Sequence, residues 1–260
     1  MRLLPRRLSS GEEATLVEHL GELRARLVIC LIAIAIAFAV TFAFHHTILD
    51  WLNSPLPDEN KKPATFGVAE PFLTAVIVSL WAAAALALPV LLWQFWSFFA
   101  PALHEHTQRR VLGWVAFGTA LFVGGLLFAY YVVLNAAVSF LTNFDKEQFN
   151  ILIRAKDYYS FVLWVLVAVA VVFELPIFVL ALARLGILPS RKLRRNRRIG
   201  YVIVAAIAVA LPGVDPVTLM FTMIPLLVLF ELSIWLAVFM DRRWQTEHDA
   251  AEAAFEGGDG

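Results

Sequence analysis

The sequence predicts an all-α integral membrane protein with six transmembrane helices and both termini on the cytoplasmic side. Three observations carry that reading. Sixty per cent of the 260 residues are hydrophobic and 16% are charged, with a mean hydropathy of +0.75; a soluble domain carries roughly 25% charged residues. The charges are clustered, leaving apolar runs close to the ~20 residues that a bilayer-spanning helix needs. Basic residues also fall unevenly on the two sides of those runs. The formal net charge is zero, so it selects no partner class. The lone Cys30 rules out a disulfide framework.

The chain divides into a cytoplasmic amphipathic segment (1–26), a membrane domain (27–240) and an acidic cytoplasmic tail (241–260) expected to be disordered. In the first segment Leu16, Leu20, Leu23 and Leu27 recur at helical spacing, so an amphipathic helix leads into span one. Twenty-six residues precede the apolar run, Glu12, Glu13, Glu18 and Glu22 among them, which reads as a retained span and not a cleaved signal peptide. The spans are expected at 27–44, 72–99, 111–141, 158–185, 199–212 and 217–240. The third exceeds what a bilayer requires and must tilt or project. The fifth holds only 14 residues, a reach of ~21 Å, and Pro212-Gly213-Val214-Asp215-Pro216 leaves almost no loop before the sixth. Spans five and six therefore form a tight, short hairpin.

With the N-terminus inside, sixteen Lys and Arg residues lie on the cytoplasmic side, seven of them from Arg184 to Arg198 where span four gives way to span five. Lys61, Lys62, Lys146, Arg154 and Lys156 are the five outside. That asymmetry sets the orientation. No repeat appears, which counts against inverted-repeat transporters.

Catalytic patterns are missing. His104-Glu105-His106-Thr107-Gln108 starts like a zinc-protease motif, but the second ligand position, four residues on, holds Gln108. No nucleophile elbow, P-loop or dinucleotide fingerprint occurs. No enzyme activity, metal or cofactor is expected, and nothing suggests nucleic acid as a partner.

Acids inside spans are costly. Glu174 lies 16 residues into span four, near the bilayer centre, where an acid costs ~2.5–3.5 kcal/mol. Either it serves a cavity or partner helix, or it fixes helix packing through a hydrogen bond. Pro176 invites a kink beside it. Glu231 in span six lies nearer the cytoplasmic interface, where the cost is smaller. Asp215 reads as a turn or cap residue. Glu18 and Glu22 share a helix face, and Glu22 can pair with Arg26 at i,i+4, a contact worth only ~0.2–0.5 kcal/mol. A small-solute or ion-coupled transporter using Glu174 is the rival reading at this level, and an intramembrane protease a weaker one.

Several segments, in order, resemble TatC, the polytopic subunit of the twin-arginine protein translocase. They are His19-Leu20-Gly21-Glu22-Leu23-Arg24-Ala25-Arg26; Trp96-Ser97-Phe98-Phe99-Ala100-Pro101-Ala102-Leu103 followed by Arg109-Arg110; Phe128-Ala129-Tyr130-Tyr131; Phe173-Glu174-Leu175-Pro176; and Leu211 to Asp215. The resemblance spans residues 15–240 and implies a concave helical arrangement with short fifth and sixth helices in a prokaryotic inner membrane. It implies recognition of folded precursors bearing an Arg-Arg signal peptide, recruitment of single-span TatA- and TatB-like partners, assembly with further copies, and transport driven by the proton-motive force. A signal's guanidiniums call for carboxylates, and arginine offers planar bidentate donors that lysine lacks. The resemblance puts signal-peptide binding at Glu22, Arg24, Phe98 and the loop holding Glu105 and Gln108, and an intramembrane partner site at Glu174, Asp215, Thr218 and Glu231. Two departures stand out. The family's loop glutamate before Arg-Arg is Gln108 here, leaving Glu105 as the only acid in that loop, so either residue can take the role. The family's early Ser-Gln pair in span six is Thr218-Leu219.

Overall fold

The structure, a computed structural model, describes residues 16–99, 111–148, 151–184, 190–210 and 216–256. Helix α1 (Leu16–Ala43) begins in the amphipathic stretch and enters the first span without a break. It leans mainly on α3 (Glu70–Phe99). Ala33 and Ala37 face Ala83 and Ala87 there, and such small residues let membrane helices approach closely. The Thr41 hydroxyl donates across the same seam to the Ser79 carbonyl at 2.8 Å. The opposite face of α1 exposes Leu27, Leu31 and Ile36, as a lipid-facing surface does.

Between α1 and α3 lie a short helix that the sequence reading did not anticipate, α2 (His45–Asn53), and a 3₁₀ turn, Asp58–Asn60. The third span is α4 (Val111–Phe128), a π-helical turn (Ala129–Leu134) and α5 (Asn135–Asn143). From Leu112 to Asn143 they read through as one 32-residue element. The π turn loosens the backbone ladder, and the Asn135 amide donates to the Tyr130 and Tyr131 carbonyls at 3.1 Å each. Span four is interrupted as Pro176 predicts. Helix α6 (Ala155–Phe173) stops at Glu174, and α7 (Leu175–Arg184) resumes. The Glu174 carbonyl accepts from both Ile177 N–H, at 3.0 Å, and Phe178 N–H, at 3.2 Å.

A short α8 (Ser190–Arg195) precedes α9 (Arg197–Ala210) and the long α10 (Pro216–Glu256). Among the described residues five helical segments are long and apolar enough to cross a membrane: Gly21–Ala43, Glu70–Phe98, Leu112–Asn143, Ala155–Ala183 and Pro216–Met240. The expected fifth span is α9, whose 14 residues reach ~21 Å. Helix α10 runs on through residues 241–256 to Glu256. Ala and Glu, abundant there, are strong helix formers.

Helices α4 and α6 approach closely where glycine removes a side chain. Helix α4 crosses α6 at Gly125, where an added Cβ would stand 2.8 Å from both Ala170 Cα and Phe173 Cβ. One core cluster lies around α2, the π turn and α6, with Val78, Tyr130, Tyr158 and Leu166. A second joins α7, α9 and α10 through Leu180, Val204, Leu226 and Ile234.

The α2 end of the bundle is fastened by polar contacts. Buried Glu70 accepts from Phe66 N–H at 3.1 Å, from Gly67 N–H at 3.2 Å and from Arg154 Nε at 3.0 Å. That hydrogen bond holds the Arg154 guanidinium above its ordinary pKa range. Beside it Ala64 N–H donates to the Ile153 carbonyl and Ala155 N–H to the Ala64 carbonyl, both at 2.8 Å. Three tyrosines then hold α2. Tyr130 and Tyr158 donate to the Trp51 and Leu52 carbonyls at 2.8 and 2.7 Å, and Tyr159 donates to Asn53 Oδ1 at 2.9 Å.

Candidate functional site

At the other end of α1, Glu22 is half-buried and accepts a hydrogen bond from Arg26 Nη2 one turn along. Arg26 Nη1 donates to the Gln94 carbonyl on α3 at 3.2 Å. One guanidinium therefore ties the carboxylate to the junction of two helices, and Glu22 is held there instead of sweeping through solvent. This is the i,i+4 pair that the spacing allowed, with a tertiary contact added. Arg24 on the same helix is exposed.

The last turns of α3 are fixed by aromatic contacts. Trp96 lies 5.5 Å from Trp114 on α4, and Phe95 meets Phe178 on α7 edge-on at 5.9 Å. Half-buried Phe98 ends that segment. Glu105 and Gln108, expected in the loop beyond, lie outside the described residues, as does Asp215.

The intramembrane acids answer to different neighbours. Glu174 is 3% exposed. Neither of its carboxylate oxygens has a hydrogen-bond partner among the described residues. Gly118 on α4 makes room for it, since a Cβ there would stand 3.1 Å from Glu174 Oε2. The neighbouring Thr119 hydroxyl is likewise buried without a partner. An acidic side chain with its acceptors buried and unused is unusual in a folded protein. It offers several lone-pair directions to an incoming donor.

Glu231 accepts instead from the Tyr201 hydroxyl and lies 3.5 Å from Arg197 Nη1. It joins α9 to α10. Thr218 is buried in the first turn of α10, where its carbonyl accepts the Thr222 hydroxyl at 2.8 Å. Among the described residues no three of His, Cys, Asp and Glu converge as metal ligands.

The model of one protein family, Sec-independent protein translocase protein (TatC), matches residues 18–225. The chain belongs to the TatC family. The Sec-independent protein translocase protein TatCd of Bacillus subtilis (strain 168) is 33% identical over 242 residues, covering 93% of this chain and 99% of the relative. TatC of Escherichia coli (strain K12) is 34% identical over 239 residues, covering 89% and 91%. A crystal structure of the twin-arginine translocase receptor TatC is similar, with a TM-score of 0.73 at 33% identity over 85% of this chain and 98% of that one. A second, in the detergent DDM, has a TM-score of 0.75 at 34% identity. This TatC-family chain is thus a multi-pass membrane protein and a protein-translocase component. The transporter and protease readings are set aside.

Sequence reasoning missed Glu70, Arg154 as its partner, and the tyrosine contacts to α2. Glu70 and Arg154 are 84 residues apart, and no local period connects them.

Proposed function

We propose that this chain is the receptor subunit of a twin-arginine translocase. Its termini face the cytoplasm of a prokaryotic inner membrane, and it docks folded precursors through the Arg-Arg pair of their signal peptides. Single-span TatA- and TatB-like partners and further copies of the chain then complete a transport path driven by the proton-motive force. The observation that carries this reading is the pre-positioned Glu22 carboxylate at the α1–α3 junction, in a chain of the family whose relatives are named translocase proteins. An incoming guanidinium exchanges for Arg26 on Glu22, and Arg26 keeps its hydrogen bond to the Gln94 carbonyl. Glu105 or Gln108 supplies the second acceptor, with Arg24 and Phe98 flanking it. Glu174, with Asp215 and Thr218, receives a donor from a partner helix; Glu231 supports that site by holding α9 to α10.

The test is cross-linking of an Arg-Arg signal peptide to the chain in membrane vesicles. Glu22→Ala abolishes it, since truncating one partner of a desolvated charge pair costs about 2–5 kcal/mol. The protein remains inserted at normal abundance. Undiminished precursor binding by the variant overturns the assignment.

A further inference from the structure

At the basic end of the α9–α10 hairpin lies a cleft of about 290 Å³, lined by Arg194, Arg197, Ile234, Trp235, Val238 and Phe239. Its two walls differ in chemistry. One carries guanidiniums from α8 and from the first residue of α9. The other is a continuous apolar strip of α10. Trp235 and Phe239, one helical turn apart, are 68% and 55% exposed, so these two side chains face outward from the bundle, toward the bilayer.

The arginines retain donor capacity. Arg197 Nη1 stands 3.5 Å from Glu231 Oε2, a loose contact. Its buried Nε has no hydrogen-bond partner among the described residues. Arg194 is exposed and makes no ion pair among them. Glu231, the acid that faces Arg197, is already engaged by the Tyr201 hydroxyl. Two arginine forks beside an apolar strip suit a ligand with an anionic head and a hydrocarbon tail.

We propose that this cleft binds an anionic phospholipid, its phosphate between Arg194 and Arg197 and one acyl chain lying along Trp235 and Phe239. Guanidinium forks match phosphate oxygens bidentately. Tryptophan favours the level of the headgroups, and basic pockets between membrane helices hold anionic headgroups. The volume fits a headgroup and not a folded segment. A free phosphate would leave the apolar strip unused. The site also suits the short α9, which at ~21 Å falls below the ~30 Å hydrocarbon thickness. A lipid seated at its base would hold the hairpin at the phosphate plane where the bilayer thins around it.

The test uses the full chain, purified in detergent and titrated with phosphatidylglycerol or phosphatidylcholine, with retained lipid counted by native mass spectrometry. The parent retains phosphatidylglycerol selectively. Arg194→Gln with Arg197→Gln lowers that retention by about fivefold for each arginine removed, the factor expected from the attraction of one basic residue to an anionic surface. Trp235→Ala lowers retention of both lipids. Arg195→Gln with Arg198→Gln, exposed positions outside the cleft, leaves retention unchanged. An equal loss in that control pair would mean diffuse attraction to the basic run and would overturn the proposal. So would displacement of the lipid by millimolar inorganic phosphate. If the double variant fails to fold, exposed Arg194→Gln alone decides: retention equal to the parent's refutes the site.

Discussion

Gly124 and Gly125 are adjacent on α4, and the same substitution at each is expected to have opposite signs. At Gly125 an alanine Cβ would meet Ala170 Cα and Phe173 Cβ at 2.8 Å and Phe173 Cγ at 2.9 Å. Two of those atoms belong to the backbone or the first side-chain carbon of α6, so no rotamer change relieves the overlap. The helices must separate, and overpacking of this kind costs about 1–3 kcal/mol. At Gly124 nothing lies within 4 Å of the added carbon. There alanine contributes only its better helix propensity, about 0.8–1.0 kcal/mol over glycine. That gain is common to both sites and cancels in the comparison. Gly125→Ala should therefore fall about 1–3 kcal/mol below Gly124→Ala, with Gly124→Ala at or above the parent. The assay is equilibrium unfolding of the three proteins in one detergent, with thermal aggregation monitored by size-exclusion chromatography as a second readout. Equal stability of the two variants, or a more stable Gly125→Ala, would refute the close crossing of α4 and α6.

Three further outcomes are expected. Glu174→Gln keeps polarity and Glu174→Leu removes it; signal-peptide cross-linking survives in both, while assembly with partner proteins or export suffers more in the Leu variant, as blue-native gels and export of a folded reporter will read. Normal export by both would make Glu174 a packing residue. In the second-to-third loop, Glu105→Gln should weaken precursor binding markedly, Gln108→Ala little, and Gln108→Glu strengthen it, because charge-assisted hydrogen bonds are roughly twice as strong as neutral ones; affinities at two salt concentrations decide, and the reverse order gives the role to Gln108. Tyr158→Phe removes the 2.7 Å bond to the Leu52 carbonyl and should cost about 1 kcal/mol, measured by unfolding, with precursor binding unchanged.

Much of the fold was legible because membrane constraints are written locally. Apolar runs placed the five long spans to within a few residues of their helices. The 14-residue run 199–212 anticipated the short α9, and Pro176 announced the break after Glu174. What stayed hidden depends on partners far along the chain. Nothing beside Gly124 or Gly125 says which one meets α6. Helix α2 begins two residues after α1 ends, too soon for a turn signal to separate the two. Glu70 resembles any acid near a helix start until Arg154 is brought to it. The π turn was equally silent, because Tyr130 and Tyr131 read as ordinary span residues. Of the candidate site, Glu22 and Glu174 were visible as costly or periodic acids. The engagement of Glu22 by Arg26 and Gln94, and the isolation of the Glu174 carboxylate, needed the helices in place.

The clasp at the α2 end carries a mechanical consequence. Glu70, at the first residue of α3, and Arg154, just before α6, are joined by a salt bridge and by backbone bonds through Ala64. Two long rods pinned together at one tip would scissor about that pin if nothing held their other ends. Helix α3 has 30 residues, a lever of about 45 Å. A tilt of about 5° at the pin would carry its far tip, beside Gln94 and Phe98, through about 4 Å over that lever length. The contacts of Phe95 and Trp96 oppose that swing at the far end, so the clasp and those aromatic contacts together fix where the tip of α3 stands beside Glu22.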